Sequence, residues 1–227
     1  MMNNGTLWKE HLPDIFDDRQ NIDEYSSLGV LLGTQKQVFK EAYLTYLKCK
    51  EQYSYQPILG AKVDFKFDYQ THFVRIKRLE HELTLSFHDF QKYMGLIDAV
   101  FAEIYPIGTV VELDEKMLPT NVRELFTQPD QGLLVTIQGR KIPISKTNNL
   151  IDYIGSVWPV GLMLDVEPFI MNNLMVKKVV SEGLNNEYEQ QYVWYQLRKK
   201  QLTENMQSYV FTDEFVKEFQ YEKEASQ

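Results

Sequence analysis

Apolar and polar residues alternate without a break between Ala61 and Tyr69. Ala61, Val63, Phe65, Phe67 and Tyr69 fall on one side, and Lys62, Asp64, Lys66 and Asp68 on the other. That period of two predicts a half-buried strand. A turn at residues 68–71 folds it onto a second strand at 73–79, and residues 83–85 supply a third. Upstream, Phe39, Ala42, Tyr43, Tyr46 and Leu47 recur at helical spacing, which predicts a helix of about five turns with one apolar face. Thr34 and Gln37 stand at the spacing of a capping box, and Pro57 bars the helix from continuing. Residues 28–32, apolar between Ser27 and Gly33, read as a short strand. After the meander, Ser86 with Asp89 opens a second helix carrying Phe90, Tyr93, Met94, Ile97, Phe101 and Ile104 on one stripe, closed by Pro106.

The rhythm then changes. Residues 107–113, 133–137, 150–158 and 176–181 read as short strands separated by Gly and Pro turns, with residues 139–141 as a turn and 142–144 continuing the second strand. Gly155 marks a place where its strand must bend or bulge. Asn185 or Asn186 with Glu189 begins an aromatic helix, 186–200, and Thr212 before Asp213 and Glu214 begins a last one. The fold class is α+β. An N-terminal helix, three-stranded antiparallel meander and helix precede a small, strongly bent antiparallel sheet or partly open barrel with C-terminal helices. The expected divisions are 1–104, 105–202, and an amphipathic acidic tail helix at 203–227.

Three stretches of this second region stand out in order: YPIGTVVEL at 105–113, GLLVTIQGR at 132–140 and LIDYIGSVWPVG at 150–161. Together they resemble a domain-of-unknown-function family of small Firmicute proteins, often encoded beside type VII secretion genes and their LXG toxins. The resemblance covers about residues 105–200. It implies a secretion neighbourhood and names no reaction. Two departures from the family's usual form are the long connection from Leu113 to Gly132, with a helical turn at residues 121–126, and the first hundred residues.

Composition narrows the partners. The formal charge is −8 and the pI about 5.1, which disfavours general affinity for nucleic-acid backbones or anionic membranes. Residues 105–202 hold 10 Lys and Arg against 11 Asp and Glu, so aromatic residues there are not interleaved with a basic surface. The basic run Arg198, Lys199 and Lys200 suits the end of a helix dipole. One cysteine, Cys49, permits no internal disulfide and fits a reducing compartment. The N-terminus lacks the pattern of a secretory signal, and no segment approaches the ~20 apolar residues of a membrane span. The expected location is the cytoplasm.

Candidate chemistry is sparse. His72, His81 and His88 match no zinc spacing. The dispersed glycines never compose a phosphate-binding loop, and no histidine follows Gly155-Ser156, which excludes a nucleophile elbow by chain order. Asp152, Asp165 and Glu167 are carboxylates near aromatic residues without a matching partner set. No catalytic residue, metal or cofactor is assigned. The candidate partner-binding residues are Tyr188, Tyr192, Trp194 and Tyr195 on the aromatic helix, with Phe211, Phe215 and Phe219 on the tail stripe. The resemblance implies a non-catalytic accessory of type VII secretion that binds an LXG-type toxin as chaperone or targeting adaptor. The alternatives are an immunity protein that neutralises the toxin and, behind it, an enzyme of unrecognised class.

Overall fold

The computed structural model describes residues 3–16, 21–118, 122, 132–164 and 167–225, with side chains through Tyr221. The helical turn expected at 121–126 lies outside the described residues apart from Val122. The chain divides into two compact units. One joins Met1–Ala102 to Phe211–Tyr221, and the other is Glu103–Val210 with Glu222–Gln227. The architecture is α+β throughout, and neither unit closes into a barrel.

In the first unit, α1 (Asn4–His11), α2 (Pro13–Phe16), α3 (Ile22–Thr34) and α4 (Lys36–Leu47) precede a four-stranded antiparallel sheet, followed by α5 (Phe87–Phe101). Asn3 starts α1 by accepting from Gly5 N at 2.8 Å, which satisfies an amide that has no partner inside the helix. Residues 28–32 are helical rather than a strand. Tyr25, Leu28, Gly29 and Leu32 form the buried face of α3, a 3.6-residue period that extends N-terminal to the apolar run itself. Gly29 lets the Trp8 indole approach so closely that a Cβ there would sit 2.1 Å from the ring. The capping box does not form. Thr34 Oγ1 donates instead to Val30 O and Leu31 O, and Gln37 reaches Glu41, so α4 starts one residue later, at Lys36, and runs twelve residues.

The sheet has four strands where the pattern showed three: β1 (Gln52–Tyr55), β2 (Val63–Asp68), β3 (Phe73–Arg78) and β4 (His81–Ser86), in that order. Val63, Phe65, Phe67, Val74, Ile76, Leu83 and Leu85 point to the buried side, as alternation requires. Asp68 accepts from Gln70 N and Thr71 N and so shapes the first hairpin. Ser86 caps α5 through Asp89 N at 3.1 Å, as its position foretells. The core is rich in aromatic rings. Phe16 stacks on Tyr25 at 4.1 Å, and Tyr93 donates its hydroxyl to Tyr25 O. Tyr43 and Tyr93 are pushed well above the ordinary tyrosine range by burial, and so remain neutral donors.

The second unit is built on the sheet β10-β7-β6-β5-β9, with β8 also paired to β7. The strands are β5 (Val110–Leu113), β6 (Leu134–Pro143), β7 (Asn149–Val157), β8 (Phe169–Met171), β9 (Val176–Ser181) and β10 (Gln207–Ser208). All pairings are antiparallel except β10 with β7. Residues 139–141 are not a turn: β6 runs through them, with a bulge between Ile137 and Gly139 opposite Gly155 and Ile154. Gly155 itself is required by close approach, since a Cβ would stand 2.3 Å from Thr136 O. Val111, Leu113, Leu133, Val135, Ile137 and Met171 make an aliphatic core joined by Tyr153. Each such buried side chain is worth about 1.5–3 kcal/mol relative to exposure.

Candidate interaction surface

Two features of the second unit position its functional candidates: a buried polar tie and a helix held by one arginine. Asp152 on β7 is fully buried and accepts from Lys141 Nζ at 2.8 Å, Ser208 Oγ at 2.7 Å and Asn173 N at 3.3 Å. Lys141 is equally sealed, so the pair is a desolvated ion pair completed by hydrogen bonds. Beside it, Tyr153 Oη contacts Glu103 O at 3.0 Å and Asn173 Oδ1 at 2.9 Å, and accepts from Tyr105 N. The cluster pins β10 and the 3-10 turn Asn173–Met175 onto β7. A carboxylate whose contacts are a lysine, a serine and a main-chain amide ties these elements together.

Arg140, on β6, holds the aromatic helix. Its guanidinium donates to both carboxylate oxygens of Glu189, through Nη2 at 2.8 Å and through Nη1, and Nη1 also reaches Tyr105 O at 3.1 Å. The same group lies over the Tyr192 ring, 5.7 Å from its centre. Only a planar five-donor fork makes these contacts together. Asn186 caps the helix through Glu189 N at 3.0 Å, so Glu189 serves the cap with its amide and Arg140 with its carboxylate.

The helix is α6 (Glu187–Tyr192), a π-helical turn at Val193–Arg198, and α7 (Lys199–Thr203). The wider π turn shifts the helix face so that Arg198, Gln201 and Leu202 are buried. Tyr188, Tyr192 and Tyr195 remain exposed, Tyr188 at 78%, and Trp194 is half-buried. Lys199 lies over the Tyr195 ring at 5.8 Å.

The tail candidates are placed differently. They lie at the start of, and on, α8 (Asp213–Ala225), where Thr212 Oγ1 accepts from Phe215 N at 3.3 Å. Phe211 is 1% exposed, with its ring 4.8 Å from Tyr43 and 6.1 Å from Phe39, and so is part of the first unit's core. Phe215 and Phe219 stack on each other at 6.0 Å and are half-buried.

One surface escaped the sequence reading. Residues 158–164, between β7 and β8, are Trp, Pro, Val, Gly, Leu, Met and Leu, and every one is exposed. Trp158 N donates to Leu134 O as the strand ends, and Gly161 N closes a turn on Val157 O at 2.9 Å with φ at +79°. Leu162 and Leu164 then stand 63% and 105% exposed, and Ile170 on β8 is exposed too. A signal existed: an apolar run with Pro and Gly directly after a strand has no partner of its own to lie against.

Glu112 on β5 accepts from Lys177 and Lys178 of β9, which hold its carboxyl below the usual range. Among the described residues, no group of three or more His, Cys, Asp and Glu is placed to hold a metal ion. His81 instead contacts Glu24 at 3.3 Å. No helix of the described residues is long and apolar enough to cross a membrane.

Residues 128–192 match a family described as a domain of unknown function (DUF4176). No curated protein and no solved structure matches the chain. The matched segment contains β6 to β9, the exposed run at 158–164 and the first turn of the aromatic helix with Tyr188 and Tyr192.

Proposed function

We propose that this protein is a non-catalytic, cytoplasmic accessory of type VII secretion that binds an LXG-type toxin as chaperone or targeting adaptor. The observation that carries the binding part is the run at 158–164, seven consecutive apolar residues all facing solvent. Contiguous exposed apolar surface is rarely maintained unless something covers it. Tyr188, Tyr192 and Tyr195, spaced i, i+4 and i+7 on a helix braced by Arg140, supply a second set of anchors suited to an apolar groove or helix. Tyrosine suits the role because it brings large contact area at low side-chain entropy. The secretion context rests on the resemblance over residues 105–200.

The test is co-purification of the tagged protein with an LXG-type protein, comparing the natural chain with the double variant Leu162→Ser, Leu164→Ser. Retention of a full-length, export-competent client by the natural chain and its loss in the variant supports the adaptor reading. Retention of only the toxic domain, with its activity abolished, makes this an immunity protein. Unchanged retention by the variant removes residues 158–164 from the interface.

A further inference from the structure

The aromatic helix braced by Arg140 carries opposite charges at its two ends. Its first turn, in α6, has Glu187 beside Tyr188; its last, in α7, has Lys199 and Lys200. Read inward from both ends, the outer positions mirror one another about the bond between Val193 and Trp194. Glu187 answers Lys200, Tyr188 answers Lys199, and Tyr192 answers Tyr195. All six are exposed, while Val193 and Trp194 are half-buried and Arg198 is buried. The outward stripe therefore continues through the π-helical turn, and Lys199 lies over the Tyr195 ring on it.

The end charges are not spent within the chain. Glu187 and Lys200 stand thirteen residues apart. That is about 20 Å along a helix, too far for the two to meet. Glu187 accepts from Gln191 Nε2 at 3.4 Å, and among the described residues neither Glu187 nor Lys200 has an ion pair. A surface that is apolar in the middle, acidic at one end and basic at the other is complementary to itself turned end for end.

We propose that this face pairs with the same face of a second copy, antiparallel about a two-fold axis. Tyr192 packs on the partner's Tyr195, Tyr188 receives the partner's Lys199 over its ring, and Glu187 meets the partner's Lys200. Antiparallel pairing also sets each helix N-terminus beside a C-terminus, which favours both dipoles. The net charge of −8 opposes association, but at physiological salt it is screened beyond about 8 Å and the end pairs are closer than that. One helix pair falls short of the roughly 800 Å² per partner of a stable dimer, so the dissociation constant should be on the order of 100 µM. The inference rests on the reading of this helix as a docking face; the client reading carried by residues 158–164 is separate.

The experiment is sedimentation equilibrium of the full chain without any client, from about 5 to about 500 µM. Reductant is present throughout, which excludes a dimer linked through the exposed Cys49. The natural chain is expected to pass from monomer to dimer over that range. Glu187→Lys and Lys200→Glu each set like charges together at both ends of the interface and should weaken the dimer about tenfold. The double variant Glu187→Lys, Lys200→Glu remakes both pairs with their signs exchanged and should regain the natural affinity. Each single change also sets a charge against the helix dipole, so loosening of the helix would make the double variant the weakest of the three. A natural chain still monomeric at about 500 µM, a dimer indifferent to both single changes, or a double variant no tighter than the singles would overturn the proposal.

Discussion

The two units use their aromatic residues in opposite ways. In the first, Trp8, Phe16, Tyr43, Phe65, Phe90 and Tyr93 are all sealed, and ring pairs gather them into two clusters, Trp8 and Phe16 around Tyr93, and Tyr43 with Phe65 and Phe67 around Phe90. In the second, the core is aliphatic around Tyr153, while Trp158, Tyr188, Tyr192 and Tyr195 are displayed. Buried rings contribute packing and fix one native arrangement; displayed rings contribute nothing to folding that their solvation does not largely cancel. The contrast separates residues kept for stability from residues whose retention calls for a partner.

The largest effect is expected where the second unit depends on charge instead of rings. Asp152→Ala removes the buried carboxylate shared by Lys141, Ser208 and the Asn173 amide, and should cost about 3–5 kcal/mol by urea denaturation, with amide exchange accelerated along β7 and β10. A small loss would mean that the Asp152 tie does little to hold β10 on β7. In the first unit Trp8→Ala, at a side chain 1% exposed, should cost about 3–5 kcal/mol in the same assay. Gly29→Ala is milder on paper, yet its new methyl enters the Trp8 ring, so about 1–3 kcal/mol is expected from overpacking. Should Gly29→Ala be neutral, the indole is loosely seated and the picture of a sealed first core fails.

A pH series sharpens the same contrast. Lys177 and Lys178 depress the Glu112 pKa in the folded state relative to the unfolded chain. A depressed carboxyl gives stability that is fully present above the ordinary glutamate range and is lost as pH falls through the folded value. Glu112→Gln should therefore be less stable than the natural chain at neutral pH, and the difference should close as acid is added. Both lysines are more than half exposed, so the gap should be small and should shrink further in salt. A gap that stays constant down through the acid range would show that Glu112 acts by packing rather than charge.

Much of this fold was legible where local chemistry and tertiary context agree. The period-two run of β2, the Ser86 cap, the Asn186 cap and the Thr212 cap all appear where their residues put them. Misreadings came where the deciding partner is distant. Leu28 and Leu32 looked like strand because the matching buried Tyr25 and the Trp8 contact lie outside the apolar run. The strands β1, β8 and β10 have two to four residues each and exist only through the neighbour that pairs with them. The candidate surface was half legible. Spacing located the tyrosines of the aromatic helix, but Phe211 has the same apolar signature and its ring lies against Tyr43. Sequence reports that a residue is apolar; whether it is covered depends on chain far away in sequence.

The smallest expected effect on folding is the most informative about function. Leu162→Ser with Leu164→Ser removes side chains that stand mostly in water, so stability should change by no more than about 0.5 kcal/mol. Trp158→Ser, at a ring 48% exposed, should cost more than that and still less than Trp8→Ala. Solubility should rise, because contiguous exposed apolar surface promotes association. Trp8 provides the internal control: the two tryptophans belong to one chain, and only their coverage differs. If Trp158→Ser costs as much as Trp8→Ala, the 158–164 run is packed in solution and the division between sealed and displayed rings disappears. If it costs clearly less while client retention falls, the run is kept for a partner.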